Sequence, residues 1–132
     1  MTIRTLAAAA LLATMWGGGA AHASDGCDAQ NMNHNGSGVF YENCGTVEIF
    51  YQRPKASMRR QGVRSGTVLF RGSARGTRVS GTAYRFKRGC APIGYSVSGR
   101  WRGASLTLVG TAPIRGSGCA VTRYKRDRLR FD

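Results

Sequence analysis

The chain has 132 residues, with 20 Lys and Arg against six Asp and Glu, and a formal net charge of +14. So few carboxylates argue against chemistry built on paired acids, such as a glycosidase dyad, and no acid-rich calcium loop is present. The length suits one domain with a small core.

Arg4 gives the N-terminus a short positive region, residues from Leu6 to Trp16 are apolar but for Thr14, and glycines lead to Ala21-His22-Ala23. These are the three parts of an export signal, the final A-x-A triplet fitting a peptidase pocket that accepts only small side chains. The apolar run is shorter than the roughly 20 residues a membrane-spanning helix needs. Residues 1–23 are predicted to be a cleaved signal peptide. No cysteine stands at the cut, which argues against a lipid anchor, and no transmembrane segment is predicted after cleavage. Loss of Arg4, with no acid, takes the formal charge from +14 to +13. The mature protein is expected in the periplasm or outside the cell.

Cys27, Cys44, Cys90 and Cys119 all follow the cut. An even count in an exported chain reads as two disulfides. No CxxC or HxxxH spacing supports a metal site, and no cofactor is expected. Residues 24–38 are polar and Asn-rich, and read as a loose leader tied down by Cys27, ahead of a single β domain over 39–132.

From Val39 onward, short β-favouring runs alternate with glycines and no segment has a helical period. Val39–Asn43 is the first predicted strand. Thr46–Tyr51 follows, with Val47, Ile49 and Tyr51 on one face. Thr67–Arg71 and Arg78–Lys87 form a pair. Tyr95–Trp101 sets Tyr95, Val97 and Trp101 opposite Ser96, Ser98 and Arg100, the period of a half-buried strand. A tight turn at Arg102-Gly103-Ala104 leads to Ser105–Val109. Cys119–Tyr124 and Arg128–Phe131 close the set, with Leu129 and Phe131 inward. About eight short antiparallel strands in a meander predict an all-β small barrel or two-sheet sandwich.

Loops of a meander alternate between two ends. Cys44 falls at one end near the leader and Cys27; Cys90 and Cys119 fall at the other. The expected pairing is therefore Cys27 with Cys44 and Cys90 with Cys119. The second end also gathers Arg53, Lys55, Arg59, Arg60, Arg64, Lys87, Arg88 and Arg115, in loops without an acid. Such a cluster is a candidate anion site. Arg100, Arg102, Arg128 and Arg130 read as ordinary solvated strand-face charges.

Catalytic signals are sparse. His34 with Glu42 or Glu48 and an arginine could form the acid–base set of a small basic ribonuclease, although nothing in the spacing brings them together. No serine elbow or phosphate-binding loop is present. The composition favours a non-enzymatic exported module whose basic loop end meets an anionic surface, polymer, nucleic acid or acidic protein. Two alternatives accompany it. One is a lipocalin-like small-ligand barrel lined by Tyr51, Tyr84, Phe86, Tyr95, Trp101 and Phe131. The other is an inhibitor of an acidic hydrolase.

Overall fold

Alternation of apolar and polar residues gives each strand one face for the core and one for solvent. The computed structural model describes residues 26–132, so the signal peptide predicted over 1–23 lies outside the described residues. The strands are β1 (Asp28–His34), β2 (Ser37–Asn43), β3 (Val47–Arg53), β4 (Val68–Arg75), β5 (Arg78–Arg85), β6 (Ile93–Arg102), β7 (Ser105–Arg115) and β8 (Val121–Phe131). A short helix, α1 (Ala56–Arg60), crosses the link between β3 and β4. All eight strands belong to one antiparallel sheet in sequence order, which curls into a half-barrel; among the described residues there is no second sheet to make a sandwich.

The edges of this sheet meet at one point. Asn33 N donates to Asp132 O at 2.6 Å and Asp132 N donates to Asn33 O at 3.1 Å. The stagger between strands brings the far end of β8 beside the His34 end of β1, the offset that curling a tilted sheet requires. Bulges between Gly38 and Val39, Ile49 and Phe50, and Ile114 and Arg115 add local bend.

Inward residues fill the half-barrel. Val39, Val47, Ile49, Phe70, Leu106, Leu108 and Phe131 are fully buried. Gly72 faces Gly81 across β4 and β5, and the Phe70 ring lies against both. A methyl group on Gly81 would fall 2.9 Å from that ring and overlap the backbone of Arg71 and Gly72.

Two disulfides join the expected partners, Cys27 with Cys44 and Cys90 with Cys119. Each holds one end of the sheet, as the alternation of loops in a meander requires.

Four expectations need correction. The loose leader is replaced by β1, paired with β2 from Asp28↔Asn43 to His34↔Ser37. Its turn is Asn35-Gly36, with φ of 47° and 85°, the left-handed pair that a tight two-residue hairpin demands. The polar composition misled because β1 is an edge strand with asparagines on its outer face, while Met32 and His34 point inward and are buried. The two closing strands are a single β8, whose middle, Tyr124–Arg128, holds no aliphatic residue to mark it as strand. The loop after β3 contains α1, from which Met58 packs on the core, and Val63 beyond it is buried. Finally, β7 runs past Val109 to Arg115, through Pro113.

Gly81→Ala is expected to destabilise the fold by about 1–3 kcal/mol through overpacking. Urea unfolding measures it, and an unchanged midpoint would contradict the close approach described.

Candidate functional site

Pairing of β6 with β7 stops at Val97↔Gly110. Continued in register, the ladder would set Pro113 opposite Gly94, and proline has no N–H to donate. Beyond Gly110, β7 pairs only with β8, where Pro113 faces Tyr124. The half-barrel is thus splayed at this end, and a cavity of about 570 Å³ opens there. Strand ends contribute His34, Ser37, Tyr51, Leu69, Arg85, Tyr95, Asp127 and Leu129 to its wall. The surrounding loops add Lys55, Met58, Gln61, Phe86 and Lys87, and Arg115 lies where β7 ends.

The polar wall is ordered by direct bonds. Tyr95 Oη donates to Asp127 Oδ2 at 2.8 Å, and Arg85 Nη1 lies 3.5 Å from the same oxygen. Burial, then the bond to Asp127, pushes the Tyr95 phenol well above its ordinary range. Burial alone pushes Tyr51 up to about 12. Both phenols are neutral at ordinary pH and act as hydrogen-bonding groups. Since Arg85 and Asp127 are both partly exposed, their pair adds at most about 1 kcal/mol to stability. Its importance is in placing a guanidinium at the cavity.

His34 is 5 % exposed and stacks on Phe131 at 4.7 Å. Its Nδ1 is 2.9 Å from Arg130 O, which can only accept, so Nδ1 carries the proton and Nε2 is the acceptor. The Asn35 amide, 3.5 Å from Nε2, supplies a weak donor. Burial outweighs the opposing bond to Arg130 O and holds the imidazole below its ordinary pKa of 6.5. At neutral pH the ring is uncharged.

The eight loop cations named from the sequence do not all line the cavity. Lys55, Lys87 and Arg115 line the cavity. Lys87 Nζ donates to Gly116 O at 2.6 Å and Gly118 O at 2.8 Å. Arg115 donates to Cys119 O at 3.1 Å and to Ala91 O. With the Cys90–Cys119 bridge, these bonds tie the β5–β6 and β7–β8 loops together across the splayed strands. Lys55 is anchored through its backbone, its N–H donating to the buried Ser37 Oγ at 2.9 Å. Arg59 turns back to Pro54 O at 3.1 Å, and Arg53 lies along Gly38. Arg60, Arg64 and Arg88 are exposed and lie off the cavity wall.

Sequence reasoning missed Arg85 and Asp127 as a pair. Strand parity carries the signal: Arg85 follows inward Ala83 by two, and Asp127 precedes inward Leu129 and Phe131 by two and four. Of the aromatics expected to line a barrel cavity, Tyr51, Tyr84, Phe86 and Tyr95 do so. Trp101 instead packs edge-on against Tyr41 and Phe131 lies under His34. The acid–base set of His34 with Glu42 or Glu48 is not assembled. Those glutamates face each other on the outer side of β2 and β3, where Glu48 pairs with Arg71 at 3.5 Å. The acid that shares the cavity with His34 is Asp127. Among the described residues, no group of three His, Cys, Asp or Glu is placed to hold a metal ion.

No protein-family model, curated protein or solved structure matches the chain.

Two outcomes follow from this geometry. Because burial lowers the His34 pKa, the unfolded chain binds that proton more readily than the folded one. Stability is therefore complete above pH 6.5 and declines as pH falls from there toward the folded pKa. His34→Gln is expected to shrink the gap between urea midpoints at about pH 7.5 and about pH 5; an equal gap in the variant contradicts it. Replacing Cys90 and Cys119 together by serine is expected to lower stability by about 2–4 kcal/mol. Thermal unfolding checks this, and a loss well under 1 kcal/mol would show that the rim is held without the bridge.

Proposed function

We propose that the protein is an exported binding module that takes a small amphipathic anion into the loop end of its half-barrel. The observation that carries this reading is the balance of the cavity wall: Lys55, Arg85, Lys87 and Arg115 face the single carboxylate of Asp127. Apolar and aromatic surface from Met58, Leu69, Phe86 and Tyr51 lies beside them. A cavity of about 570 Å³ is of the size that small-molecule sites occupy. A carboxylate or phosphate head would meet Arg85 and Lys55, and an apolar body would cover the aromatic wall. Asp127 and the Nε2 of His34 would accept bonds from a hydroxyl or amine on the same ligand.

The cavity joins the anionic partner expected from the charge to the small ligand expected of a barrel. It favours a small ligand over a flat macromolecular contact because Lys87 and Arg115 are already committed to loop carbonyls. Export is supported by the N-terminal signal pattern and by two formed disulfides, since such bridges persist in oxidising compartments. Among the described residues, no helix is long and apolar enough to cross a membrane.

Native mass spectrometry of the purified protein, followed by calorimetry with aliphatic and aromatic carboxylates and phosphate monoesters, tests the proposal. One of these anions is expected to bind. Arg85→Ala should weaken it roughly tenfold or more, the loss of a charge-assisted hydrogen bond. Absence of binding across the panel, or binding that ignores Arg85→Ala, would overturn it.

A further inference from the structure

The outer wall of the sheet carries a second concentration of charge, away from the cavity. Registers across β4, β5 and β6 set Arg75 opposite Arg78 and Arg78 opposite Arg100. One step along the same face, Ser73 stands opposite Ser80 and Ser80 opposite Ser98. These six residues are exposed and line a shallow cup of about 350 Å³. Neighbouring strands lie about 4.8 Å apart, so guanidinium groups at matched positions crowd one another.

Like charges directly opposite in a sheet are destabilising. Here three arginines stand in one row, and none has a carboxylate partner among the described residues. The ion pairs among the described residues are Arg71 with Glu48, Arg85 with Asp127 and Arg130 with Asp132. The row continues across the sheet through Thr107 to Arg130, and the serine row through Val109 to Arg128. Protection of a sheet edge by charged residues accounts for arginines on β8, which is an edge strand. It does not account for Arg78 and Arg100, because β5 and β6 are paired on both sides.

We infer that the outer face of β4–β6 is an anion site for phosphate groups, separate from the loop-end cavity. Arginine forks match the oxygens of phosphate, and serine hydroxyls add donors that a tetrahedral anion accepts from several directions. Bound phosphate would also supply the negative charge that the arginine row lacks. Arg100, Arg128 and Arg130, spread over the two neighbouring rows, suit successive phosphates of a chain better than a single free ion.

The test uses the intact, disulfide-bonded protein and a variant carrying Arg75→Ser, Arg78→Ser and Arg100→Ser. Three probes separate the sources of phosphate: inorganic phosphate, a linear polyphosphate and a single-stranded oligothymidylate, each at two salt concentrations. At least one probe is expected to bind the wild type. The triple variant should weaken that binding at least tenfold and flatten its salt dependence, as lost phosphate contacts require. Tighter binding of the polyphosphate or the oligothymidylate than of inorganic phosphate assigns the site to a chain, and equal binding assigns it to single phosphate groups. The thermal midpoint of the variant should stay level or rise, since like-charge repulsion is removed. The triple variant should keep its affinity for an amphipathic carboxylate at the mouth, so failure of the cavity reading and failure of this one are separable. No binding by any probe, unchanged affinity in the triple variant, or a marked loss of its stability would overturn the inference.

Discussion

An eight-stranded meander has two free edges, and drawing them together is the constraint on which the rest of this structure depends. Closure rests on the paired backbone bonds of Asn33 and Asp132 and on His34, whose ring spans from β1 to Arg130 O and Phe131. An unpaired strand edge invites association with other chains. Here the edges meet at one end only. Elsewhere β8 presents Arg126, Arg128 and Arg130 outward, a charged border that resists pairing.

The cavity is a consequence of the same curvature. Inward residues toward the Cys27–Cys44 end are large and apolar, and they fill the interior. Toward the Cys90–Cys119 end the inward positions become His34, Tyr51, Arg85, Tyr95 and Asp127, which cannot pack as hydrocarbon. The pairing of β6 and β7 stops at Val97 and Gly110, at the same level. Polar inward side chains and a broken ladder therefore coincide. The Cys90–Cys119 bridge, with Lys87 and Arg115 on loop carbonyls, restrains the splayed strands so that the opening keeps its shape.

Much of the fold is legible in the sequence because strand period and loop alternation are local rules. Tyr95, Val97, Leu106, Leu108, Leu129 and Phe131 are buried where alternation places them, and the disulfide partners follow from which end each loop occupies. β1 is hidden because its asparagines resemble loop composition, although Asn35-Gly36 is a strong hairpin signal. The unity of β8 is hidden because its central residues are charged and exposed. The site is less legible than the fold. Whether Lys87 or Arg115 faces a ligand or a carbonyl depends on contacts between loops far apart in sequence, which no local pattern records. The pairing of Arg85 with Asp127 needs both strand parity and the full sheet order.

Two basic regions emerge with different chemistry: an interior mouth with one balancing carboxylate, and an outer wall with hydroxyls and, among the described residues, no acid near its centre. The central claim is that the mouth is a ligand site. Its most direct measurement is an amide ¹⁵N–¹H shift map of the labelled protein titrated with an amphipathic carboxylate. Saturable shifts are expected at His34, Tyr51, Arg85, Tyr95 and Asp127, with the β4–β6 outer face unmoved. Shifts confined to the outer face, or none at the mouth at saturating ligand, would contradict it.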